Sequence, residues 1–285
     1  MDGVISISLI TVNYNDKEGL SRTLESVVNQ SFKDFQHIIV DANSLDGSRD
    51  VIQSYIHLNC IKIIEDDNGV YDAMNKGIQQ ALGSYILFLN AGDELYDETS
   101  LANVVKKIGD YKDIYYANVL VKDVNNQYLQ EHPEPLTFEF FRERTLCHQS
   151  TFIKRELFEN YGLYRTDIPI SSDWEFFLRT IFLHGVTVQK LHFTSSIYYL
   201  GGMSSDVTNR TQIIGERKEV LENLFPHFLR DFEKLEKLND YKNNIETRLD
   251  PALANVLTNS FFSKLLKNQI QLYNRILNWK RKNTT

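Results

Sequence analysis

Asn90 and Asp93 stand at the two ends of Asn90-Ala91-Gly92-Asp93, directly after the apolar run Tyr85–Leu89. That run is long enough for a buried strand and too short for a helix. A carboxylate on a glycine-containing turn at a strand end is placed to hold a divalent cation. Magnesium typically takes one or two carboxylates together with substrate phosphates. The same turn also reads as an ordinary strand exit with a solvated aspartate. Comparable polar clusters recur upstream: Thr11, Asn13 and Asn15; Asp41 and Asp46; Asp67 and Gly69. Downstream, His148 and Gln149 precede Ser150–Ile153, and Ser171-Ser172-Asp173 reads as the cap of Trp174–Leu183.

The elements that must carry these residues follow from periodicity. Val4–Val12, Phe35–Val40, Cys60–Ile64 and Tyr85–Leu89 are strand-like. Between them lie helical stretches over 18–29, 48–57 and 70–81, the first with Leu20, Leu24, Val27 and Val28 on one face. Strands alternating with helices predict an α/β fold with a mostly parallel, doubly wound sheet. The turns after the strands then gather on the sheet edge where such folds bind ligands. Asp72 and Asn75 fall one turn apart, so one helix face directs both the same way. Further along, 101–108 reads as a helix, 113–121 as a strand and 128–132 as its hairpin partner. A helix opens near Lys154, and 186–191 and 193–200 read as two strands ending in Gly201-Gly202. From about Arg210 the pattern is helical, broken by Pro226 and Pro251.

Composition excludes several classes. The 285 residues are 42% hydrophobic and 24% charged, values that support a sizeable core. A net charge of −7 argues against a nucleic-acid binder, which needs a basic face. Residues 251–285 carry six Lys or Arg and no acid, so −7 − 6 leaves −13 on the first 250 residues. Two cysteines make neither a metal cluster nor a disulfide framework, which suits a reducing cytoplasm. No signal-peptide pattern and no spanning apolar run is visible, so a soluble or peripheral protein is expected.

In order along the chain, I-T-V-N-Y-N (10–15), V-D-A-N-S-L-D-G-S (40–48), D-N-G-V-Y-D-A-M-N-K-G-I (67–78) and G-S-Y-I-L-F-L-N-A-G-D (83–93) resemble family 2 glycosyltransferases of the GT-A fold. C-H-Q-S-T-F (147–152), S-S-D-W-E-F-F-L-R (171–179) and L-G-G-M-S (200–204) extend the likeness to about residue 205. It is greatest to bacterial enzymes that build capsule, O-antigen or exopolysaccharide. The resemblance implies a catalytic domain over 1–205, with nucleotide-sugar binding over about 1–95 and an acceptor side over about 96–205. A helical extension would occupy 206–285. It further implies inverting transfer from a nucleotide-sugar, a UDP-sugar for preference, to a glycan or lipid-linked acceptor. Thr11, Asn13, Asn15 and Asp41 would hold base and ribose. Asp67, Gly69 and Asn75 would position the sugar-phosphate end, with Asn90, Ala91 and Gly92 beside it. Asp93 matches the last position of the metal-binding D-x-D element, implying Mg2+ or Mn2+, and Asp173 matches the catalytic base. His148, Gln149, Asp72, Gly201 and Gly202 are further contacts to donor sugar or acceptor, each with an ordinary structural alternative. Asn90 departs from the commoner carboxylate and weakens the expected metal site.

Competing functions lack their motifs. A sugar-nucleotide pyrophosphorylase needs a glycine-rich basic loop after the first strand, where this chain has N-Y-N-D-K. A dinucleotide enzyme needs G-x-G-x-x-G there. A nucleotide-sugar-binding scaffold without activity stays open on Asn90, against the presence of both Asp93 and Asp173. The basic, amphipathic stretch 251–285 suits either contact with the inner face of the cytoplasmic membrane or packing on the catalytic domain or a homodimer partner.

Overall fold

The computed structural model describes residues 7–109, 111–123 and 125–231, with isolated positions as far as Lys264. The proposals for 251–285 therefore lie outside the described residues, as does the break at Pro251. Two compact units are present, Met1–Val220 and Leu221–Thr285. Among the described residues no helix is long and apolar enough to cross a membrane.

The first unit begins with the alternation that periodicity predicts. Its elements are β1 (Ile7–Asn13), α1 (Lys17–Val28), β2 (Gln36–Asp41), α2 (Ser48–Ser54), β3 (Cys60–Ile64), α3 (Val70–Gln80) and β4 (Tyr85–Phe88). All residues of β1 and β4 are buried, as strands covered on both faces must be. Helix α3 lies close on β1 because Gly77 has no side chain. A Cβ there would come within 2.5 Å of Ile10 Cγ2. Helix α2 is shorter than expected, since Tyr55 turns extended to bury its ring.

The remaining elements are β5 (Glu94–Leu95), α4 (Ser100–Lys107), β6 (Ile114–Lys122), β7 (Gln127–Gln130), α5 (Phe138–Glu143), β8 (Thr151–Lys154), α6 (Glu156–Tyr161), α7 (Ser172–Phe182), β9 (Val188–Tyr199) and α8 (Arg210–Leu224). One sheet runs β3-β2-β1-β4-β8-β6-β9-β5, with β7 beside β6. Strands β3, β2, β1 and β4 are parallel. Strand β8 runs antiparallel to both β4 and β6, so the sheet is mixed. The two strands expected over 186–200 are one 12-residue strand. Exposed His192 breaks the apolar pattern there without breaking the backbone. The irregularity is a bulge in β9 itself: Tyr116 and Asn118 pair with Lys190 and Thr194, and Val119 with Ser196, so β9 carries the extra residues.

The inversion at β8 has a local consequence. The beginning of β8 lies beside the end of β4, because Leu87 pairs with Phe152. The 3-10 turn His148–Ser150 therefore meets Asn90–Asp93 on one edge of the sheet, although 58 residues separate Asn90 from His148.

Candidate active site

Helix α1 fixes the turn that follows β4. Thr23 Oγ1 donates to the carbonyl of Asp93 (2.7 Å) and accepts from the amide of Gly92 (3.0 Å). Arg22 donates from Nη2 to the Gly92 carbonyl (3.1 Å), and its guanidinium lies 4.4 Å from the Tyr199 ring centroid. Gly92 has φ +99°, the left-handed region that closes the turn. The Asp93 carboxyl is thereby buried, and burial pushes it up to about 7. Attraction to His148, a hydrogen bond from the Gln149 side chain and a backbone bond at Tyr199 oppose that rise.

Asp173 stands in the first turn of α7 with both oxygens bonded. Oδ1 accepts from Tyr71 Oη (2.8 Å) and from the Trp174 amide (2.8 Å), while Oδ2 lies 3.1 Å from His148 Nδ1. Burial pushes its pKa up, but the bonds from His148, Tyr71 and the Trp174 amide outweigh that. The carboxyl is held below its usual value. His148 Nε2 meets Asn90 Nδ2 at 3.3 Å. Imidazole protonated at Nδ1 satisfies both ends, donating to Asp173 and accepting from Asn90. A polar chain thus runs Tyr71–Asp173–His148–Asn90.

Three adjoining cavities follow this chain. The first, of about 410 Å3, is lined by Asn90–Asp93, His148, Gln149, Asp173 and Gly201–Gly202. The second, of about 630 Å3, takes in Asn13, Asp67 and Gly69 and shares Asn90 and Ala91 with the first. The third, also about 630 Å3, shares His148, Gln149 and Asp173 with the first and opens on its far side. Asn90 thus stands between the first two spaces, and His148 with Asp173 between the first and third.

Other sequence-picked residues are placed differently. Thr11 faces the fully buried His37, with Oγ1 3.0 Å from Nε2, and lines none of these three cavities. Asn75 grips the backbone of Tyr164 from both ends, through Nδ2 (2.9 Å) and Oδ1 (3.0 Å). Asp72 accepts from the Asn68 amide and does not share a pocket-facing direction with Asn75. Asp41 is fully buried behind Asn13 and Ser44, both of which donate to it. Asn15 Oδ1 accepts from the Leu45 amide, tying two loops together. These corrections share one cause: a short polar side chain near a strand end finds a backbone or buried partner before it reaches the cleft. Asp67 accepts from the Gly69 amide and lines the second cavity, and burial pushes its pKa up.

The cap expected of Ser171-Ser172-Asp173 is also different. Ser171 makes no side-chain cap bond. Instead Glu216 of α8 reaches back, its Oε2 accepting from the amides of Ser171 (2.9 Å) and Ile170 (3.3 Å). Sequence reading missed Tyr71, Arg22, Glu216 and Arg217. Only the Tyr71 position, beside Gly69 at a helix start, carried a local signal.

Among the described residues no group of three His, Cys, Asp or Glu forms a complete metal site. The turn nevertheless has the donors of a partial one. Asp93 supplies a carboxylate, and Asn90 Oδ1 is buried without a hydrogen-bond partner. One carboxylate and one amide oxygen fit a magnesium-like cation completed by substrate phosphates.

The mixed sheet flanked by helices is the GT-A fold. The chain belongs to glycosyl transferase family 2, whose family model matches residues 8–162. It is 30% identical over 210 residues to the PGL/p-HBAD biosynthesis glycosyltransferase of Mycobacterium bovis (strain BCG / Pasteur 1173P2), covering 71% of this chain and 80% of the relative. It is 35% identical over 91 residues to the putative teichuronic acid biosynthesis glycosyltransferase TuaG of Bacillus subtilis (strain 168), covering 31% of this chain and 36% of that one. Among solved structures, GalNAc-T7 with UDP, GalNAc and Mn2+ superposes with a TM-score of 0.57 at 17% identity, over 78% of this chain and 48% of the other.

Proposed function

We propose that the chain is an inverting glycosyltransferase that moves a hexose or N-acetylhexosamine from a UDP-sugar to a glycan or lipid-linked acceptor in surface-polysaccharide synthesis. The observation that carries this reading is the position of Asp173, ionised and shared between two cavities. The second cavity, with Asn13, Asp67 and Gly69, suits the nucleoside. The first, beside Asp93 and Gly201–Gly202, suits the diphosphate and sugar. The third then receives the acceptor.

The chemistry follows from that arrangement. The acceptor hydroxyl enters beside Asp173 and attacks the anomeric carbon from the face opposite the diphosphate. Its proton passes to Asp173, and the bond from the anomeric carbon to the diphosphate oxygen breaks. Tyr71 and His148 hold the carboxylate in place, so it meets the proton without reorganising. Asp93 and Asn90 Oδ1 would hold Mg2+ or Mn2+, which supplies charge compensation for the leaving diphosphate. Arg22, stacked on Tyr199 and ion-paired to Glu94 at 3.3 Å, braces the same turn.

Nucleotide release from a panel of nucleotide-sugars, measured with Mg2+ or Mn2+, tests the reading. Asp173→Asn is expected to lower kcat by about 10²–10⁴-fold, the usual worth of a positioned base, with donor affinity unchanged. Turnover by Asp173→Asn at the parent rate, or failure of every donor to bind, removes the proposal.

A further inference from the structure

The third cavity is lined by a cation that forms no ion pair among the described residues. Arg217 projects from α8, beyond the span over which the family resemblance runs. Its Cζ lies 5.0 Å from the ring centroid of Trp174, an indole that is itself fully buried. Nη1 donates to the Glu143 carbonyl (3.2 Å), while Nε is buried with no hydrogen-bond partner. Burial lowers its pKa from the ordinary arginine value, and the charges of Asp173, Tyr71 and Glu216 act the other way. No ion pair to Arg217 forms among the described residues. The nearby carboxylates are engaged: Asp173 by Tyr71 and His148, and Glu216 by two backbone amides and Gln212. A second arginine, Arg144, stands exposed on the same cavity, with Glu131 as the opposing charge.

A half-buried guanidinium without a charge partner is costly unless an anion completes it. Its planar fork matches the oxygens of a phosphate. We propose that Arg217, assisted by Arg144 at the rim, binds a phosphate group carried by the acceptor, next to the sugar that receives the transfer. The proposal rests on assigning this cavity to the acceptor. Cation–π contact with Trp174 and the bond to the Glu143 carbonyl hold the guanidinium in place on the cavity lining. A neutral oligosaccharide would leave Arg217 uncompensated, so the subsite selects phosphate-bearing acceptors. The phosphate can come from a lipid-linked sugar or from a phosphodiester-containing glycan. Tyr128 and Leu129, exposed on β7 at 52% and 48%, line the same space and favour an alkyl chain beside it.

Fluorescence of Trp174 reads occupancy directly, because the ring lies under the guanidinium. The experiment uses the full chain with Trp279→Phe, which leaves Trp174 as the only tryptophan. Dodecyl phosphate below its micelle concentration, sn-glycerol 3-phosphate and neutral dodecyl maltoside are titrated with and without saturating UDP and Mg2+. A saturable response to at least one phosphate probe and not to the maltoside is expected. Arg217→Gln should weaken it by about tenfold or more, since bonds to charged groups are the stronger class. Arg217→Lys, which keeps the charge and loses the fork, should fall between. Arg144→Gln should cost less than Arg217→Gln. Tighter dodecyl phosphate binding identifies the lipid-linked source, and equal binding the glycan source. No saturable phosphate response, an equal response to the maltoside, or unchanged binding in Arg217→Gln overturns the proposal. UDP affinity, measured separately by calorimetry on the same variants, reports folding and the donor site. Phosphate binding that depends on Arg217 without UDP binding would sink the donor reading and keep this one.

Discussion

Tyr71 and His148 hold opposite oxygens of one carboxylate, and the two bonds have separable effects. Tyr71→Phe removes a donor that favours ionised Asp173, so the Asp173 pKa should rise. As the proposed base, Asp173 works only when ionised. The acid limb of the kcat profile should therefore move to higher pH, with donor affinity nearly unchanged, as a pH series of nucleotide release will show. At the neighbouring turn, Asp93→Ala should weaken UDP binding in the presence of Mn2+ by about tenfold or more. Chelation should produce the same loss in the parent and little further loss in the variant. Much of this edge could be read from residue types alone. Asn90, Asp93, His148 and Asp173 each lie at a strand end or helix head, where local pattern places them. Tyr71 could not be assigned, because its partner is 102 residues away and the same ring would serve equally well as core. Thr11 and Asn75 show the reverse error: the right residue types near the right edge, satisfied by partners that no local pattern reveals.

At the scale of elements, strand and helix identity followed from period, and mistakes fell where packing overrides it. β1, β2 and β4 are almost wholly buried runs and β3 a half-buried one, each followed by a helix or turn, so their alternation and parallel pairing were legible. β9 was not, because it bulges around exposed His192, between Lys190 and Thr194, and the bulge mimics a turn in the sequence. The contact between α3 and β1 depends on a missing side chain. Gly77→Ala should cost about 1–3 kcal/mol, the usual range for overpacking, since Ile10 must move to admit the new methyl. Urea unfolding measures it. The same substitution at Gly215, where a Cβ meets nothing within 4 Å, should be neutral or slightly stabilising.

For the whole molecule, buried histidines set the response to acid. His37 is fully buried between Thr11 and Tyr55, and burial, followed by repulsion from His57, lowers its pKa to about 3. Burial likewise lowers His132 to about 4. Between pH 6.5 and these values the unfolded chain takes up protons that the folded chain refuses, so stability falls as pH falls. For His37 the full loss is on the order of 5 kcal/mol. Asp93 works in the opposite sense. With its pKa raised to about 7, the folded state holds a proton that the unfolded chain releases near pH 4, so its contribution is lost as pH rises between them. Thermal unfolding from pH 7 to 4 without metal should therefore show a shallower acid loss in His37→Gln and a steeper one in Asp93→Asn.

Glu216 ties the amides of Ile170 and Ser171 from as far as 46 residues downstream, and this has a consequence for how the protein is made. Chains emerge from the ribosome amino end first, and domains fold as units as they appear. Strands β1–β4 and the turn around Asp93 all lie within residues 7–95. The anchor for the segment carrying Asp173 is translated only with α8. A chain made only as far as that turn therefore carries Asn90 and Asp93 but neither Asp173 nor its anchor. The anchored form of Asp173 therefore waits on α8, made well after the turn that carries Asp93.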